Sequence, residues 1–159
     1  MKSKIVDYKE VSKQFTHTGQ LSFQDKSGTS FTLIKAELWE PEMEGLFLVH
    51  EIYQLKSLVG NFSDVALDIV EYAADQTIFL SPQPTWNINK GKSGGLIKFA
   101  LVSSAYWKQL LHQIREIVFL KWEDEVLPST IKGTQNFPFN RKSRVMELHE
   151  DGRVKIING

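Results

Sequence analysis

The sequence predicts an α+β fold: a single mixed, mainly antiparallel sheet with two principal helices, at about 61–75 and 104–122, packed against it. Three observations predict it. Glycine turns near 21–33 and 145–157 each separate segments of alternating apolar and polar residues, the mark of a hairpin. Two longer segments repeat apolar residues at spacings of three and four, the period of an amphipathic helix. Short apolar runs rich in β-branched and aromatic residues lie between them.

The first segment sets Ile5, Tyr8, Val11 and Phe15 at helical spacing, with a strand as the alternative. The next is better determined. With Lys26-Ser27-Gly28 as a three-residue loop, Phe23 faces Phe31, Leu21 faces Leu33 and Ser22 faces Thr32; a two-residue loop would mix apolar and polar groups on each face. Gly28 then takes the left-handed bulge position, where a Cβ is costly. This strand is expected to run on through Ile34, Ala36 and Leu38. After an acidic turn, Leu46–Tyr53 reads as a strand that is apolar on both faces at its start, as a central strand is.

Asn61 caps the first principal helix, and Phe62, Val65, Leu67, Ile69, Val70, Tyr72 and Ala73 give it a broad apolar face. Thr77–Leu80 and Leu96–Val102 are strands, and the link from Leu46–Tyr53 through the helix to Thr77–Leu80 suggests a right-handed parallel crossover. Ser103 or Ser104 caps the longest helix, read as Ala105–Lys121, with Trp107, Leu110, Leu111, Ile114, Val118 and Trp122 on one stripe. The last hairpin takes Glu150-Asp151-Gly152 as its loop, setting Leu148 against Val154, Met146 against Ile156 and Glu147 against Lys155.

The 159 residues are read as a single domain spanning 1–159. With 42% apolar and 24% charged residues, the chain has the composition of a packed protein. The absence of cysteine excludes disulfides, thiolate zinc sites, iron–sulfur clusters and cysteine nucleophiles. The N-terminal sequence lacks a signal-peptide core, and no stretch approaches the ~20 apolar residues of a membrane helix, so a soluble cytoplasmic protein without membrane association is expected. Net charge is zero but unevenly spread: residues 1–76 hold 7 basic and 12 acidic side chains, and residues 77–159 hold 12 and 7. Such asymmetry suits self-association, a protein partner or a basic binding face.

No cofactor or metal is expected, because none of the four histidines falls in a metal-ligand spacing. Gly91-Lys92-Ser93 is not a phosphate loop, since the glycine required five residues earlier is Trp86 and a strand follows where a helix should. Two function classes remain. The first is a non-catalytic binding or regulatory module that takes an anionic ligand on two basic loops, 86–98 and 137–144, through Trp86, Lys90, Lys92, Arg141, Lys142 and Arg144. A neutral total charge and the lack of any RNA- or DNA-binding signature argue against nucleic acid. The second is a small enzyme with a pocket near the central strand, where His50 or Glu51 serves as acid or base. His112 and His149 are read as surface residues, and 124–140 as a long irregular connection held by Phe137 and Phe139.

Overall fold

The computed structural model describes residues 8–82 and 96–158. Trp86, Lys90 and Lys92 therefore lie outside the described residues. The strands are β1 (Gln20–Gln24), β2 (Ser30–Lys35), β3 (Gly45–Val49), β4 (Thr77–Pro82), β5 (Leu96–Leu101), β6 (Val118–Glu123), β7 (Ile131–Lys132), β8 (Arg144–Leu148) and β9 (Val154–Asn158). The helices are α1 (Tyr8–Thr18), α2 (Leu55–Leu58), α3 (Asp64–Tyr72) and α4 (Ala105–Ile114). All nine strands form one sheet in the order β7-β1-β2-β6-β3-β5-β4-β8-β9. Five neighbouring pairs are antiparallel and three are parallel, so the sheet is mixed and mainly antiparallel. No helix among the described residues is long and apolar enough to cross a membrane.

Helices cover both faces of the sheet, and each face has its own core. On one, α1 and α4 place Phe15, Trp107 and Leu110 against Phe23, Phe31, Leu46, Leu48 and Leu120. On the other, α2 and α3 place Leu58, Ala66 and Val70 against Phe47, Val49, Phe99 and Phe119. β3 feeds both cores by alternation, and all five of its residues are buried. Ser63, not Asn61, caps α3, its hydroxyl accepting from the Ala66 N–H at 3.1 Å.

Both hairpins adopt the expected registers. Phe23 opposes Phe31, Leu148 opposes Val154 and Met146 opposes Ile156, while Gly28 and Gly152 take φ of 98° and 96°. The buried Asp25 carboxylate locks the first turn by accepting from the Ser27 and Thr29 N–H groups, both at 2.9 Å. Its other oxygen accepts from the Phe137 N–H at 2.7 Å, tying the long connection to this turn. Phe137 and Phe139 are buried, and the Trp107 indole donates to the Asn136 carbonyl. Residues 124–140 are thus pinned over α4 and contribute β7.

Four expectations are corrected. The longest helix stops at Ile114, because Arg115 turns left-handed at φ 66°, and Val118–Glu123 is strand β6. Val118, Phe119 and Trp122 are stiff or bulky at Cβ and suit a sheet interior, where β6 pairs with both β2 and β3. β2 ends at Lys35, and Ala36–Leu38 is a single 3-10 turn. β3 ends at Val49, so His50 and Glu51 follow the strand instead of alternating within it. Finally, β3 is parallel to β5 and not to β4, which enters antiparallel on the far side of β5.

β6 and β3 approach each other tightly at Gly45. A Cβ there would lie 1.8 Å from the Leu120 carbonyl oxygen, a backbone atom that cannot step aside. At Gly28, by contrast, an added Cβ meets nothing within 4 Å and the cost is conformational alone. Gly28→Ala should therefore destabilise by about 1–2 kcal/mol, and Gly45→Ala by about 3 kcal/mol or more. Urea denaturation of the two variants should rank them in that order; equal losses would contradict the close approach.

Candidate functional site

β3 and β5 are adjacent and parallel, and their carboxyl ends at Val49 and Leu101 lie side by side. In open sheets with parallel strands, ligands sit outside such ends. The chain leaves β3 through His50 and Glu51 and turns at once, because Gln54 reaches back. Its side-chain oxygen accepts from the His50 N–H at 2.8 Å and the Glu51 N–H at 3.1 Å, and the Glu51 carboxylate accepts from the Gln54 N–H. The chain leaves β5 through Ser103, which donates to the Asp75 carboxylate from its N–H at 2.9 Å and from its hydroxyl at 2.6 Å. Asp75 holds a left-handed φ of 65° to make this clamp, and α4 starts immediately beyond it.

Ser104, Lys108 and His112 follow at intervals of four, so they share one face of α4. That face meets the end of β3. Lys108 Nζ lies 3.4 Å from Glu51 Oε1, and the His112 ring stands edge-on to the His50 ring at 5.8 Å between centroids. His50 is 3% exposed, and among the described residues its Nδ1 has no hydrogen-bond partner. The Ser104 hydroxyl is likewise buried with no partner among the described residues, leaving its helix-capping role unfilled. An unpaired buried polar group costs about 1–3 kcal/mol, so each of these two is a local expense.

Burial holds the His50 pKa below its ordinary 6.5; the neighbouring His112 and, less strongly, Lys108 push the same way, while Glu51 opposes them. His50 is therefore neutral at pH 7, offering one donor and one acceptor nitrogen. A neutral imidazole near an ammonium and a carboxylate can orient a polar ligand and take up a proton. Among the described residues, no group of three or more His, Asp or Glu is placed to hold a metal ion.

The basic residues assemble differently. Arg141 is engaged by acids, with Nη2 at 3.1 Å from Glu44 Oε1 and 3.0 Å from Asp124 Oδ1. With Lys142, Asn140 and Thr29 it lines a cleft of about 330 Å³ that also contains Glu123 and Asp124. Arg144 lines a different cleft of about 450 Å³, between α3 and strands β4 and β8, with Asp68, Tyr72, Phe79 and Met146. The structure thus brings Arg141 and Lys142 together and sets Arg144 apart. Neither cleft is lined by His50 or Glu51.

Of the residues around His50, the sequence marked Glu51 alone. His112 is exposed as expected, but it also faces His50. The available signal was the four-residue spacing of Ser104, Lys108 and His112, three functional side chains on one helical face. His149 donates to, or pairs with, Glu147 at 2.8 Å on the outer face of the last hairpin, away from this cluster.

No family model matches the chain, and no curated protein matches it. Among solved structures it is similar to the crystal structure of E. coli YciO, with a TM-score of 0.66 and 10% identity over 95% of this chain and 87% of that one. At that identity, the likeness establishes a shared fold for the nine-stranded mixed sheet and its helices, and nothing further.

Proposed function

We propose that this protein is a small enzyme whose acid–base site lies at the carboxyl ends of β3 and β5, with His50 as proton acceptor. The observation that carries this reading is His50 itself: nearly sealed from solvent, neutral, and with Nδ1 unpartnered. A buried polar atom left open at the end of a parallel strand pair is where a substrate group would bind. Glu51 and Lys108 form the charged pair beside it, exposed His112 stands edge-on to it, and the Ser104 hydroxyl at the start of α4 is a second open hydrogen-bonding group. The substrate this set suits is a small polar molecule.

A second reading, the non-catalytic module for an anionic ligand, is favoured by the cleft that Arg141 and Lys142 line. An anion there must compete with Glu44 and Asp124 for the guanidinium, which weakens the site.

The two readings separate in one NMR experiment. The backbone amides and histidine rings are followed while acetate, inorganic phosphate and neutral amides are added in turn. Saturable shifts at His50, His112 and Ser104, weakened roughly tenfold by His50→Gln, are expected for the acid–base site, as for loss of one buried hydrogen bond. Shifts at Asn140, Arg141 and Lys142 instead would favour the anionic module, and no saturable shift at either place would count against both.

The depressed pKa has its own consequence. Below pH 6.5 the unfolded chain binds a proton at this residue that the folded chain refuses. The His50 contribution to stability is thus fully present above that pH and is lost as pH falls toward the folded pKa. Urea midpoints between about pH 5 and pH 7.5 should fall more steeply on acidification for the parent chain than for His50→Gln. Parallel slopes would remove His50 as a buried neutral base.

A further inference from the structure

Among the described residues the two edges of the sheet are unlike. β7 closes one with two residues, too short to template another strand, whereas β9 closes the other with five. All five residues of β9 are exposed, and Val154, Ile156 and Ile157 are apolar at 45%, 69% and 47% exposure. Lys155 is its one charge, and it has no proline. The hairpin's hydrogen bonds alternate from the His149 N–H to Arg153 carbonyl bond at 2.9 Å, which makes Glu147 and Lys155 a bonded pair. The main-chain groups of Val154 and Ile156 consequently point outward from the sheet. The apolar face carries on inward: Ile156 opposes Met146, which lines the cleft under α3 with Val65, Ile69 and Tyr72, and Tyr72 is 90% exposed.

We infer that β9 pairs antiparallel with β9 of a second copy of this chain about a two-fold axis at Ile156, joining two sheets into one. Facing residues must lie on the same side of the sheet, so the axis falls between one residue and its own copy. With the axis at Ile156, Ile156 meets Ile156, Val154 meets Asn158 and Lys155 meets Ile157, and the outward groups of the two Ile156 residues bond to each other. An axis at Lys155 sets two ammonium groups opposite one another, and an axis at Val154 sets Lys155 against Arg153; both registers are repulsive. An axis at Ile157 pairs only the last three residues of the strand, Ile156 to Asn158, with one another. The register at Ile156 is the one that pairs all five residues of the strand with its own copy and opposes no like charges, and this self-complementarity selects a second copy over an unrelated strand.

The exposed apolar side chains of β9 and α3 supply on the order of a few hundred Å² per protomer, against about 800 Å² per partner in a standard interface. Main-chain pairing adds to this, so the dimer should be reversible, with Kd roughly micromolar. Sedimentation equilibrium of the full chain from about 1 μM to about 1 mM should show monomer passing to dimer. Ile156→Lys, at an exposed position, should shift that transition at least about tenfold upward by opposing two charges at the axis. The chain has no cysteine, so Ile156→Cys offers a direct test. Opposed Cα atoms about 5.5 Å apart are within disulfide reach, and this variant should cross-link under mild oxidation much faster than Val126→Cys, also exposed. A monomer at every concentration, a dimer indifferent to Ile156→Lys, or equal cross-linking at the two positions would each overturn the pairing.

Discussion

Strand β6 holds this structure together. It is hydrogen-bonded to β2 over six residue pairs and to β3 over four, and it joins β7, β1 and β2 on one side of the sheet to β3, β5, β4, β8 and β9 on the other. Its alternation serves both layers: Val118, Leu120 and Trp122 enter the core under α1 and α4, while Phe119 packs against Trp39 and Phe47 on the opposite face. Burial of such side chains is worth about 1.5–3 kcal/mol each, so this strand alone commits a large part of the fold's stability. The contact with β3 is tight enough to demand glycine at position 45.

The His50 cluster inherits its geometry from that arrangement. With β6 on one side of β3 and β5 on the other, the end of β3 is fixed in the middle of the sheet. α4 begins where β5 ends, with Asp75 clamping the turn, and so its polar face is delivered beside His50. The imidazole is stranded at a point where β3 is already buried on both sides but pairing has stopped.

Local patterns in the sequence were enough for the two hairpins, because their registers follow from apolar matching within a dozen residues. They were not enough for β6. Val118 and Trp122 continue the stripe of Leu111 and Ile114 at a spacing of four, and a short apolar run satisfies a helix as well as a strand. The usual stop signal was missing, since the left-handed position at the end of α4 is held by Arg115 where glycine or asparagine is common. The same limit applies to the site. His50 and Glu51 could be singled out as a pair near a central strand, but not their partners, because the meeting of His50 with His112 depends on how a helix packs across the sheet. Nor could the neutralisation of Arg141, whose acid Glu44 lies 97 residues earlier in the chain.

The place of β6 in the sequence also bears on how the chain is made. Translation delivers β5 by residue 101 and β6 only by residue 123, so one side of β3 can pair before the other. Its other side stays bare until residues 118–123 have left the ribosome. During that interval Leu46-Phe47-Leu48-Val49 presents an uncharged, strand-prone edge, the composition that seeds association between nascent chains. The acidic turn just before it, with Glu40, Glu42 and Glu44, places like charges beside that edge, the gatekeeper position of an apolar strand.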